Sequence, residues 1–163
     1  MSTILMNLLV YASQKKQHQR LLQALNGCDH RCALETFMTL RSLGQRLRRN
    51  CGGETWLVLV TQSPPELARL SALSDLILNT RSILVLPDHR RESAILGHTL
   101  YPRFISYLDS DFSDVGSVLE TVLARITAGR EDRTHPSRGP VPEKAGFGND
   151  LITRIARLHG HEN

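Results

Sequence analysis

Along this chain, short unbroken apolar runs alternate with longer stretches in which apolar residues recur three or four positions apart. The first run, Leu8-Leu9-Val10-Tyr11-Ala12, reads as a strand. His18 to Leu25 then sets Leu21, Leu22 and Leu25 on one helical face and stops at Asn26-Gly27, a glycine helix stop. Arg31 to Glu35 is predicted as a short second strand. Phe37 to Asn50 is predicted as a helix with Phe37, Leu40, Leu43 and Leu47 on its stripe, ended by Cys51-Gly52-Gly53. Trp56 to Val60 is continuous and rich in Leu and Val, as a central strand covered on both faces must be. Ser63-Pro64-Pro65-Glu66 begins a helix with proline in its first turn, and Leu67, Leu70, Leu73 and Ile77 follow on one stripe. Ile83 to Leu86 is a further buried strand, broken by Pro87-Asp88. Arg90 to Leu100 is a helix, Phe104 to Leu108 a fifth strand, and Ser113 to Ile126 a final helix. Strict alternation predicts a three-layer α/β domain with a doubly wound, five-stranded parallel sheet.

Beyond residue 127 the pattern ends. From Ala128 to residue 148, Gly, Pro, Ser, Arg and Glu crowd the stretch, the composition of a flexible linker. Asn149-Asp150 can cap a helix, and Leu151, Ile152, Ile155 and Leu158 follow at helical spacing. The expected organisation is a domain over 1–127, a linker over 128–148 and a short amphipathic helix over 149–160. So short a helix needs a surface to cover its apolar stripe, supplied in cis by its own domain or in trans by a partner's groove.

Composition narrows the function classes. With 163 residues the chain holds one domain plus appendages. Aromatic residues make up only 5%, so aliphatic side chains must fill the core. The net charge of +4 is modest and spread along the chain, and no helix-turn-helix, zinc finger or aromatic-rich sheet accompanies it, so nucleic acid is not the expected partner. No apolar run nears the roughly 20 residues that cross a bilayer, and residues 1–9 lack the features of a secretory signal. A cytoplasmic protein without membrane attachment is expected. Three cysteines, an odd number, argue against a disulfide framework.

The order and spacing of Leu8-Leu9-Val10-Tyr11, Trp56-Leu57-Val58-Leu59-Val60, Ser82-Ile83-Leu84-Val85-Leu86, and Tyr107-Leu108 with Phe112-Ser113 resemble the receiver domains of bacterial response regulators, a flavodoxin-like fold, over residues 6–127. In that family an acidic pair after the first strand holds Mg²⁺ and an Asp ending the third strand accepts the phosphoryl group. A hydroxyl after the fourth strand and a Lys after the fifth stabilise it. Carried onto this chain, the acidic pair falls on Ala12 and Ser13, the acceptor on Thr61, the hydroxyl on Pro87, and the Lys on Asp109 or Ser110. Without clustered carboxylates there is no hard-cation site, and without the cation and Lys the phosphoryl charge is not offset. The resemblance therefore implies a degenerate receiver in two-component signalling: not an enzyme, with no cofactor and no metal, acting by protein–protein interaction. Its partner would be a regulatory protein or a second copy of the chain. The contact surface usual in the family implies His89, Arg90, Arg91, His98, Tyr101, Arg103 and Tyr107 as the interaction face.

A second reading places a small anionic ligand or nucleotide at the carboxyl edge of the sheet, held by Ser13, Thr61, Gln62 and Ser63. Two further clusters carry metal-ligating residue types. Cys28-Asp29-His30-Arg31-Cys32, with Cys51, lacks the second two-ligand knuckle of a zinc site and reads as a turn with small thiols. Asp88, Asp109 and Asp111 fall near the carboxyl edge, but strands one and three bring no acid to complete a coordination sphere. Arg41 to Arg49 reads as the solvated face of an amphipathic helix.

Overall fold

A computed structural model of the chain describes residues 4–25, 31–49 and 53–134. The elements are β1 (Met6–Ala12), α1 (Lys15–Ala24), β2 (Cys32–Phe37), α2 (Leu40–Arg48), β3 (Thr55–Val60), α3 (Pro64–Ser71), α4 (Ser74–Ile77), β4 (Arg81–Leu86), α5 (Arg91–His98), β5 (Phe104–Tyr107) and α6 (Ser113–Thr134). The strands form one sheet in the order β2-β1-β3-β4-β5, every neighbouring pair parallel. This is the expected doubly wound, flavodoxin-like α/β arrangement. The described residues up to Thr127 cluster as one compact unit.

Alternation along the strands sorts the core into two layers. Leu8, Val10, Ala12, Val58, Val60, Ile83 and Val85 face one way, onto Leu21 and Leu25 from α1 and its end and Val115, Leu119 and Leu123 of α6. Leu9, Tyr11, Leu57, Leu59, Leu84 and Leu86 face the other way, onto α2, α3, Ile77 of α4 and Leu100. All six residues of β3 are buried, which explains its unbroken apolar sequence.

Three local expectations change. Phe37 ends β2, where it pairs with Tyr11 and packs on the core. The helix begins three residues later because Thr39 caps it, its hydroxyl accepting from Ser42 N at 3.1 Å. The single helix expected through Leu67 and Ile77 is two. The chain tightens between them with Ala72 N donating to Arg69 O and Leu73 N to Leu70 O, and Leu67, Leu70 and Ile77 all remain fully buried. There are thus six helices, not five, among the described residues. Finally, α6 runs to Thr134, so residues 128–134, expected in a linker, are helical. The rest of the linker and the docking helix carrying Leu151, Ile152, Ile155 and Leu158 lie outside the described residues.

Candidate functional site

The carboxyl ends of β1, β3, β4 and β5 meet at one sheet edge, where an open α/β fold places its ligands. Ala12, Ser13, Thr61 and Ser110, carried over from the receiver pattern, are spent on packing or on hydrogen bonds within the fold there. Ala12 closes β1 opposite Val60 and is fully buried. Thr61 is fully buried, and both its backbone N–H (3.1 Å) and its hydroxyl (2.6 Å) donate to the Val85 carbonyl. Pro87 leaves β4 half-buried. Ser13 donates its hydroxyl to Glu66 Oε2 at 3.0 Å, and Glu66 sits in the first turn of α3. That carboxylate also faces Tyr11. Burial first, and then Glu66, push the Tyr11 phenol up to about 12.

After β5 the chain makes a tight turn around Ser110. Its Oγ accepts from Phe112 N at 3.2 Å and lies 3.2 Å from Ser106 Oγ, which donates to Asp114 Oδ2 at 2.7 Å. Phe112 takes a left-handed φ of 64° with its ring buried. Across the turn lies Arg20 of α1. Its guanidinium donates to the carbonyls of Leu108 (3.3 Å) and Ser110 (2.5 Å), donates to Gln17 Oε1 (2.7 Å), and stacks 4.5 Å over the Phe112 ring. Sequence reasoning did not single out Arg20. Its only signal was a cation bordering the apolar stripe at Leu21.

The three loop carboxylates have separate tasks. Asp88 accepts from Arg90 N at 3.0 Å, and the Ser93 hydroxyl followed by that N–H holds its carboxyl below the usual range. Asp111 accepts from Ser113 N and Oγ at 3.0 and 2.7 Å and is lowered for the same kind of reason. Both carboxylates lie just ahead of helices, α5 and α6, where negative charge is favoured. Asp109 meets His89 Nε2 at 2.9 Å. Among the described residues, no three His, Cys, Asp or Glu side chains gather where they could hold a metal. Cys32 is half-buried at the start of β2, and Cys28 and Cys51 lie outside the described residues.

The seven residues read as one interaction face occupy the two ends of the α5–β5 flank. At the carboxyl end, the His89 ring stacks on Tyr107 at 3.9 Å, beside exposed Arg90 and Arg91. At the amino end, His98, Tyr101 and Arg103 line a cleft of about 880 Å³ with Thr55, Leu78 and Arg81. Between the ends, α5 presents Ile95, 58% exposed, an apolar residue that the sequence reading left aside because nothing in a single sequence tells which face of α5 the sheet will cover.

No described protein family and no curated protein matches the chain. Among solved structures it is similar to a protein from Burkholderia pseudomallei described as pilus assembly-related, at 18% identity and a TM-score of 0.53, over 76% of this chain and 90% of that one. That likeness carries the fold. None of the described helices is long and apolar enough to cross a membrane.

Proposed function

We propose that this chain is a degenerate, non-phosphorylatable receiver: a cytoplasmic signalling or scaffold module of the bacterial two-component type that works by protein–protein interaction through the α5–β5 flank. The observation that carries this reading is Thr61. At the acceptor position it has no carboxylate, and its hydroxyl is turned into the sheet onto Val85 O, out of reach of any phosphodonor. A second support is the flank itself, where stacked His89 and Tyr107, exposed Ile95 and three arginines (Arg90, Arg91 and Arg103) give the aromatic, apolar and guanidinium mixture that anchors interfaces. The similar solved structure comes from a protein described as pilus assembly-related, and an adaptor in a multi-protein assembly is in keeping with that.

The anionic-ligand reading at the carboxyl edge is less well supported. Ser13 is committed to Glu66, Thr61 to Val85, and Ser63 accepts from Glu66 N at 3.4 Å, while the Glu66 carboxylate repels an anion. The test joins two measurements. Incubation with acetyl phosphate followed by intact-mass analysis should add no phosphoryl group. Sedimentation velocity and stoichiometric affinity capture should find self-association or one specific partner, lost in Ile95→Glu. A phosphorylated chain, or a monomer at every concentration with no partner, sinks the reading.

A further inference from the structure

We propose that the cleft at the amino edge of the sheet binds a small molecule through its phosphate group, a site separate from the interaction flank's carboxyl end and from the vestigial edge. The starts of β3, β4 and β5 build it. Arg103 N donates to Ser82 O at 2.8 Å, so Arg103 stands beside the start of β4 and the guanidiniums of Arg81 and Arg103 line one hollow.

The lining is rich in donors and poor in free acceptors. Its single carboxylate, Glu54, is already paired with Arg81. The side chains of Arg103 and His98 have no partner among the described residues, and both are exposed. Thr55 is only 8% exposed, yet its hydroxyl has no hydrogen-bond partner among the described residues. A buried hydroxyl left unpaired costs free energy, which marks the wall of the cleft as incompletely satisfied. Guanidinium forks match phosphate geometry, and a cleft of about 880 Å³ lies within the range of small-molecule sites.

The rim adds a third observation. Tyr101 holds a left-handed φ of 49° immediately before Pro102, and its ring is 76% exposed. A bulky residue rarely accepts that backbone, and here it sets an aromatic face at the mouth of a cationic hollow. Strain of this kind concentrates where ligands are clamped.

The probe is inorganic pyrophosphate, titrated into the full chain at constant ionic strength while amide and arginine Nε–H resonances are followed by NMR. Saturable shifts are expected at Thr55, Arg81 and Arg103. Arg103→Gln should weaken binding at least about tenfold, the cost of losing a charge-assisted hydrogen-bonded pair, while Arg125→Gln, exposed on α6, leaves it unchanged. Melting temperatures of both variants check that they fold. Shifts that are absent, or that spread equally to Arg90 and Arg125, overturn the proposal. So does co-sedimentation with anionic phospholipid vesicles that depends on Arg103 while pyrophosphate shifts nothing, since that would assign the cleft to a membrane surface.

Discussion

Gly116 is the position where one methyl group tests the packing of the whole α1–α6 layer. A Cβ built there would lie 2.5 Å from the Ala24 carbonyl oxygen. Side-chain rotation cannot relieve this contact, because the opposing atom is backbone, so α6 must lift from the end of α1 by roughly half an ångström, a gap that already forfeits a sizeable part of each contact's dispersion energy. Val115 and Leu119, fully buried on the same helix, would lift with it. Overpacking of this kind costs about 1–3 kcal/mol. Alanine gains about 1 kcal/mol over glycine in helix propensity, which leaves Gly116→Ala less stable by up to about 2 kcal/mol. Urea denaturation followed by circular dichroism measures it. With a slope near 2 kcal/mol/M for a domain of this size, the midpoint should fall by up to about 1 M with the slope unchanged. Gly129→Ala is the internal control. It lies on the same helix with nothing within 4 Å of the new methyl, so only the propensity term acts and the midpoint should hold or rise slightly. A Gly116→Ala midpoint equal to or above that of Gly129→Ala would refute the close approach of α6 to α1.

Arg20→Ala removes the clamp on the turn after β5. It should cost about 1.5–3 kcal/mol and speed hydrogen exchange at the amides of Phe112 to Val115, whereas equal protection in both proteins would deny Arg20 its bracing role. Thr61→Asp restores the acceptor residue type but buries a carboxylate against the Val85 carbonyl. It should destabilise the fold by several kcal/mol and still gain no phosphoryl group from acetyl phosphate, and an acid-labile phosphate on residue 61 would contradict this. The Tyr11 phenol ionises near 10 when unfolded and near 12 when folded, so between those values the unfolded chain binds fewer protons. Stability should therefore be full below pH 10 and fall as pH rises towards 12. Tyr11→Phe should flatten that alkaline decline in pH-dependent melting, and an unaltered slope would show that the phenol is not responsible. Gly97→Ala sets its methyl 2.9 Å from the ends of Leu84 and Leu86. Because these are side-chain tips that can rotate, its midpoint should fall by less than that of Gly116→Ala.

The layer order could be read from the sequence because burial on both faces writes itself as an unbroken apolar run. Trp56 to Val60 and Ile83 to Leu86 could hardly be anything but central strands. Boundaries were harder where one residue satisfies two periods. Phe37 fits the helical stripe of Leu40, Leu43 and Leu47 as well as it fits the end of β2, and only the Thr39 cap and the pairing with Tyr11 decide between them. That the carboxyl edge lacks the residue types of the receiver pattern was readable from the sequence alone at Ala12, Ser13, Thr61 and Pro87. What filled it was not. That Ser13 bonds Glu66, and that Arg20 crosses from the first helix to the last loop, depends on contacts between residues far apart in sequence. For the same reason His98, Tyr101 and Arg103 read as part of one face, while tertiary structure joins them to Thr55 and Arg81 at the opposite end of β5 from Tyr107.

The bond from Arg20 to the turn after β5 also bears on how the protein is made. Its partners are 88 and 90 residues further along the chain, and the helix that covers Leu21 and Leu25 follows directly after them. At synthesis rates of 5–20 residues per second, β1 and α1 wait roughly 5–18 s for the segment that completes their layer. Until it arrives, Leu8, Val10 and Leu21 lack part of their cover, and closing so long a loop is slow even once it is present. The nascent chain therefore has a window, set by topology alone, in which β1 and α1 expose apolar surface that the finished fold covers.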